Sequence, residues 1–307
     1  MNFKKQLIAA FAAVSLVAGL ATAGEADKPT QAQQNATANV QSGVQDKVQS
    51  IAKEKRDTLI QEAVDALAKT AQALAALDKN GTETALKLLA EATGKLEIVV
   101  AAHPDLAVAP VAVEIEAYDV YADLPSIFEA RRVATHYLVD GRIQSARETI
   151  EPLRSEMIVR VTGIPLATYP EAIKAVVPLI KDGKVEEAKA ALQTALSTLV
   201  VEETVIPLPI LRAQLLIEQA AELAESKRSK DEQEQLQVFV SAAIYQLALA
   251  EALGYGDPAT YLVFAAEIAK VTDMLNDRKA HKGAFDKLQS DMKDFGTTHT
   301  STAKPAK

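Results

Sequence analysis

The 307-residue sequence has no cysteine and no tryptophan, only 12 glycines, and 5% aromatic residues. Without cysteine there is no disulfide, no thiolate metal ligand and no cysteine nucleophile, so the fold rests on its apolar core alone. The scarce glycines form no phosphate-cradling loop, and no G-x-S-x-G elbow occurs. Ser155 lies beside Glu156, but no histidine is fixed near it by sequence, and a nucleophile needs a base and an orienting group. Histidine is rare too. Among His103, His136, His281 and His299, the pair considered for metal chemistry is Asp277 with His281, four residues apart, and two residues do not make a metal site. The expectation is therefore no catalytic residue, no metal and no cofactor. Positive charge is also short, 33 Lys and Arg against 41 Asp and Glu for a net charge of −8, and no basic stripe alternates with aromatics. A nucleic-acid partner is excluded on that ground.

What is abundant is Ala, Leu and Val, within an apolar fraction of 49%, a composition that belongs to helices. Residues 1–23 read as a cleavable signal peptide: Lys4 and Lys5, an apolar run from Leu7 to Leu20, and the small-residue site Ala21-Thr22-Ala23. The run is too short for a membrane anchor, so no integral membrane segment is expected after cleavage. Losing Lys4 and Lys5 takes the net charge of −8 to −10. Export without cysteine points to a bacterial periplasm. Residues 24–45, rich in Gln, Asn, Thr and Ala, read as a solvated, disordered leader.

The centre of the chain is one unit written twice. SIFEARRVATHYLVDGRIQSARETIEPLRSEMIVRVTGIPL (Ser126 to Leu166) aligns with TYPEAIKAVVPLIKDGKVEEAKAALQTALSTLVVEETVIPL (Thr168 to Leu208) at a shift of 42, with eleven of 41 columns identical. Each unit predicts a helical hairpin. Ser126 with Glu129, and Thr168 with Glu171, read as capping boxes that open a helix. Asp140-Gly141 and Asp182-Gly183 end it, because glycine tolerates the left-handed conformation of a tight connection. The second helices carry apolar stripes, Ile143, Ala146, Ile150, Leu153 and Met157, then Val185, Ala188, Leu192, Ala195 and Leu199. Each unit closes on an extended, β-branched segment ending in Ile-Pro-Leu.

A degraded third copy precedes these. A helical pattern from Val48 to Asp78 breaks at Asn80-Gly81, and Ala85, Leu89, Ala92 and Leu96 match Ala146, Ile150, Leu153 and Met157 at a shift of 61. Leu106 to Asp119 then alternates as a half-buried strand, with 158–164 and 200–206 as its available partners. After the repeats, Pro209 opens a helix, Ser229 with Glu232 caps another that ends at Gly254-Tyr255-Gly256, and Asp257-Pro258 starts a last long one. The fold expected is mainly all-α, an up-down helical bundle of tandem hairpins with a small β-ribbon. The domains expected are residues 46–257 as the helical domain, 258–295 as a C-terminal helical extension and 296–307 as a disordered tail. Stacking like that of tetratricopeptide repeats is the close alternative, although the Trp and Tyr signature of those repeats is missing.

The unusual local chemistry sits in GIPLATYP and VIPLPILRA, apolar and proline-stiffened. Ile164, Pro165, Tyr169, Ile206, Pro207 and Arg212 are the candidates for a ligand or partner groove, against the competing reading that they are buried connectors. The PLATYP, VIPLP and LGYG segments, occurring together and in order across Ile60 to Asp257, resemble the YfdX family of exported bacterial proteins. That resemblance implies a mainly helical periplasmic protein associated with acid and envelope stress, with no established enzymatic activity and no agreed functional residues. The function expected is binding of a protein or ligand by a non-enzymatic stress protein, the alternatives being a soluble carrier with an apolar small-molecule pocket or a repeat scaffold. A homo-oligomer that responds to pH is expected from the acidic excess.

Overall fold

The computed structural model describes residues 28–224, 228–276, 282–297 and 304–305. The fold is mainly α with a small antiparallel sheet, the helical-hairpin architecture expected from the repeats. Helix α1 (Gln31–Asn39) and helix α2 (Gln41–Asp57) lead into three successive helix-turn-helix-strand units. The first is α3 (Gln61–Asp78), α4 (Thr82–Ala102) and β1 (Val108–Tyr118), and the second is α5 (Leu124–Val139), α6 (Ile143–Ile150) and β2 (Glu156–Pro165). The third is α7 (Tyr169–Lys174), α8 (Val176–Lys181), α9 (Val185–Ser197) and β3 (Val200–Pro207). Helices α10 (Leu208–Leu223), α11 (Lys230–Leu253), α12 (Pro258–Asn276) and α13 (Asp286–Thr297) follow, with a two-residue strand β4 (Lys304–Pro305). The repeat thus ends in a strand of a shared sheet, ordered β1-β2-β3-β4, which an all-helical stacked repeat lacks.

The three turns share one hydrogen-bond pattern. Arg142 N donates to Tyr137 O at 2.8 Å, Lys184 N to Leu179 O at 2.9 Å and Gly81 N to Ala76 O at 2.8 Å, the long bond of a Schellman cap. The left-handed residue is Gly141 at φ 74°, Gly183 at φ 77° and, in the first unit, Asn80 at φ 57°. The first copy therefore carries the turn on Asn80, with Gly81 one position beyond it. The helix openings depart from the expected capping boxes. Helix α5 starts three residues early, because Asp123 accepts from Ser126 N at 3.0 Å and Pro125 fits the first turn, where its missing N–H costs nothing. Thr168 does flank α7, but its side chain caps nothing, and Glu129 and Glu171 pair instead with Arg132 and Lys174. Pro178 cannot donate to Lys174 O, which divides the third unit's first helix into α7 and α8.

Two compact units emerge, and neither matches residues 46–257 as one domain. The one built from 49–116, 158–204 and 300–307 has its core where the first and third hairpins meet: Ala63, Ala73, Leu77, Leu89 and Leu96 with Tyr169, Ile173, Ile180 and Leu192. Its sheet packs β1 close to β2. A Cβ on Gly163 would collide with Val108 Cγ1 and lie 3.2 Å from Ala109 O, so only glycine fits there. On the open side of β3, Val200 and Val201 pair with Pro305 and Lys304, so the expected disordered tail contributes a short strand.

The other unit comprises 1–48, 117–157 and 205–299. Helices α10 and α11 are its centre, buried along Leu211, Leu216, Ala220, Leu236, Phe239 and Ala243. The leader read as disordered is helical from Gln31. Ala36, Val40, Val44 and Val48 fall four residues apart and are all buried, a stripe too small in side-chain volume to register as a core pattern. Thr30 and Gln33 close a capping box at its start, and Gln33 Nε2 donates to Ser241 O at 3.2 Å. Residues 258–295 are no appendage: Phe264, Ile268, Phe285 and Met292 are buried within the same unit. Ser229 and Glu232 form the expected capping box, Gly254 takes φ 84° at the end of α11, and Asp257 accepts from Ala259 N at 3.0 Å. The signal-like segment 1–23, His281 with Asp277, and His299 lie outside the described residues.

Candidate functional site

The six groove candidates are interior residues divided between the two units. Ile164 and Tyr169 are fully buried in the core of the unit holding the first and third hairpins, with Pro165 half-buried. Ile206 and Pro207 are buried in the other unit, where Arg212 is 7% exposed. These segments are therefore packed connectors. Burial also pushes the Tyr169 phenol up in pKa, which keeps it neutral.

Arg212 belongs to the densest polar cluster of its unit. Its Nη1 and Nη2 donate to the two carboxylate oxygens of Asp119 at 3.0 and 2.5 Å, a bidentate fork, and Nη2 also reaches Gln41 Oε1 at 3.3 Å. Ser155, fully buried, donates from its hydroxyl to the same Asp119 Oδ1 at 3.0 Å. The Ser155 N–H donates to the Tyr255 hydroxyl at 2.9 Å, which donates in turn to Glu156 Oε2 at 3.0 Å. Arg154 closes the far side, bonding Glu156 Oε1 at 2.9 Å and lying 3.6 Å over the Tyr118 ring. Leu208 N donates to Ser155 O at 2.9 Å, so the residue that starts α10 is tied to the residue that precedes β2.

This arrangement is built to hold. Asp119 already accepts from a guanidinium and from the Ser155 hydroxyl, so both of its oxygens are taken up in holding the chain together. Burial, reinforced by the charge of Glu156, drives the Tyr255 phenol far above its ordinary pKa and fixes it as a donor. His136 sits on the surface 3.4 Å from Asp140, and among the described residues no three His, Asp or Glu side chains gather as metal ligands. In the other unit, Arg160 on the middle strand donates to Glu203 on β3 at 2.5 Å and to Glu116 on β1; the two carboxylates, Glu203 first, push its pKa up further. That clamp joins three strands at one residue.

Sequence reasoning reached Ser155, Glu156 and Arg212 but not their partners Asp119 and Tyr255. The signals were present. Asp119 is an acid following tyrosine at a strand end, and Tyr255 lies between two glycines at a helix end. Ser155 and Ser197 share a repeat column, yet Ser197 only bonds Thr194 O at 2.7 Å on the surface. The column identity did not encode the role.

Residues 66–205 match the family model described as YfdX protein. This stretch belongs to the YfdX family. It spans the body of all three helix-turn-helix-strand units and ends inside β3, while α10 to α13 lie beyond it. A solved structure of YfdX from Salmonella Typhi is similar to this chain at 18% identity and a TM-score of 0.34, covering 49% of this chain and 93% of its own. No curated protein matches the chain. Of the cluster's residues, Ser155 and Glu156 fall inside the YfdX stretch together with Asp119, whereas Arg212 on α10 and Tyr255 in the connection between α11 and α12 come after it.

Proposed function

We propose that this YfdX-family protein acts by binding, without catalysis, as a periplasmic component of the response to acid and envelope stress. The observation that carries the reading is the hydrogen-bonded Asp119 cluster, in which Arg212 and Ser155 are held on Asp119 while Tyr255 and Arg154 are held on Glu156. A hydroxyl held against an ion-paired carboxylate serves to fix the chain and is a poor nucleophile. The signal-like N-terminus supports an exported protein, and the family resemblance supports the stress context. Helix α11 is apolar and long enough to cross a membrane by length and composition, but 56% of that apolar window is buried within the protein, as befits a core helix.

The test is genetic and uses the intact chain. Cells lacking the gene are challenged with acid and with envelope-damaging agents, then complemented with wild type or with Ser155→Ala. The binding reading expects impaired survival restored by both forms. Survival that is unimpaired without the gene overturns the stress role. Complementation by wild type but not by a normally folded Ser155→Ala overturns the non-catalytic role.

A further inference from the structure

The apolar columns of the three repeat units fall into two kinds. Ile127, Ala134 and Ala146 of the second unit are buried, and so are Ala66, Ala73 and Ala85 of the first and Tyr169, Val176 and Ala188 of the third. These columns form the seam inside each hairpin. A second set behaves differently. Leu77 and Leu89 are 0% exposed in the first unit, and Ile180 and Leu192 are 4% and 0% exposed in the third, because those two hairpins pack on one another. Their counterparts in the second unit are Leu138 and Ile150, which are 53% and 46% exposed. Between them Ile143 is 64% exposed, where the third unit has Val185 packed on the core. Val139 beside the turn is 73% exposed.

Helix α11 covers the opening turns of α5: Leu124 and Ile127 pack with Leu249 and Ala252, and Arg131 Nη1 donates to Ala252 O at 2.9 Å. The turn end of the hairpin, Leu138 to Ile150, is what stays uncovered among the described residues. It is an aliphatic surface of the kind that natural sequences bury, built on columns that in this same protein are satisfied by another hairpin of the same repeat.

We infer that the turn end of the α5–α6 hairpin is an interface between two copies of this chain, each hairpin taking on the other the place that the first and third hairpins take on each other. The occupant follows from the repeat: the shape complementary to these columns is a hairpin of this family, and among the described residues the second unit's is the one without a mate. Charge agrees with a self-complementary contact. Residues 124–153 carry four arginines (131, 132, 142 and 147) and four carboxylates (Glu129, Asp140, Glu148 and Glu151), so the hairpin is neutral in a chain of net charge −8. Two such surfaces meet without the repulsion that opposes contact elsewhere on the molecule. This assembly goes beyond the binding function proposed above, and sedimentation of the purified chain measures it whether or not the stress phenotype holds.

The experiment is analytical ultracentrifugation of the full chain over a concentration series, comparing wild type, the double variant Leu138→Lys with Ile150→Lys, and the control Leu262→Lys, which changes a 51%-exposed leucine on α12. Because the altered side chains are exposed, thermal unfolding should be unchanged in all three. The expected result is a reversible dimer for wild type and control, and a dimer dissociation constant raised at least ~100-fold for the double variant. The absence of cysteine allows a second readout. Ile143→Cys should form a disulfide-linked dimer under mild oxidation and Leu262→Cys should not. A wild type that stays monomeric at high micromolar concentration, a dimer indifferent to the double variant, or equal crosslinking from both cysteines would each overturn the inference; the first would assign the surface to some other occupant.

Discussion

Arg212 shows how a single residue can read as one thing in sequence and serve another purpose in the fold. In VIPLPILRA it is the one charge in an apolar run, which suggests a ligand-facing cation. In the fold it is 7% exposed and its charge is spent on Asp119, which also receives Ser155. Removing the cation leaves a carboxylate without its partner, and such losses are large. Arg212→Leu should destabilise by about 3 kcal/mol, moderated by the partial exposure of Asp119, with a lower urea midpoint as the measure. Adding Asp119→Leu to Arg212→Leu should recover part of that loss, since an apolar pair no longer strands a charge. A double variant no more stable than the single one would mean that Gln41 or Ser155, and not the ion pair, holds the site.

At the scale of the element, the turn recurs three times with the same long hydrogen bond, and it makes a clean comparison. A Cβ on Gly141 or Gly183 would have nothing within 4 Å, so the penalty for alanine is backbone strain alone. Gly141→Ala and Gly183→Ala should each destabilise by about 1 kcal/mol, and Asn80→Gly in the equivalent left-handed position should stabilise by up to about 1 kcal/mol. Gly94, exposed within α4 with open space around it, should respond with the opposite sign, Gly94→Ala adding roughly 0.5–1 kcal/mol. Chemical denaturation of the four variants measures all of this, and equal shifts at Gly94 and Gly141 would remove the left-handed turn as the cause. These turns were legible because glycine and asparagine are chosen for a backbone conformation, a local matter. The helix starts were less so. Ser126 and Thr168 had the right residue type, but Asp123 with Pro125 offered the chain an earlier start.

At the scale of the molecule, acid acts through carboxylates. A hydrogen bond from Lys95 holds Asp65 below the usual carboxylate range, and Lys69 does the same for Glu91, Ser126 for Asp123, Arg132 for Glu129 and the Ser229 N–H for Glu232. Each has a folded pKa below its unfolded value, so its stabilisation is present above the unfolded pKa of about 4 and is lost as pH falls through the folded one. Glu251 works in the opposite sense: burial raises its pKa, so its charge costs stability at neutral pH and protonation relieves that cost. The lowered group outnumbers it. The urea midpoint should be level between about pH 7 and pH 5 and should fall below about pH 4. A midpoint unchanged at the acid end would show that these surface pairs contribute nothing to the native state.

The sequence by itself determined the helical class, the duplicated hairpin, its Asp-Gly turns, the extended segments that close each unit and the caps of α11 and α12. These follow from short-range preferences of backbone and side chain, which a stretch of ten or twenty residues contains. It did not determine which hairpin packs on which. The first and third share a core and the second does not, although all three carry the same apolar columns, because packing depends on which surfaces the rest of the chain leaves free. Nor did it show that Ala36, Val40 and Val44 would order the leader, since small side chains stabilise a helix only when another surface comes close enough to touch them. The Asp119 cluster is the plainest case. Its members are drawn from segments as far apart as Gln41 and Tyr255, and only the tertiary fold could set them within hydrogen-bond reach.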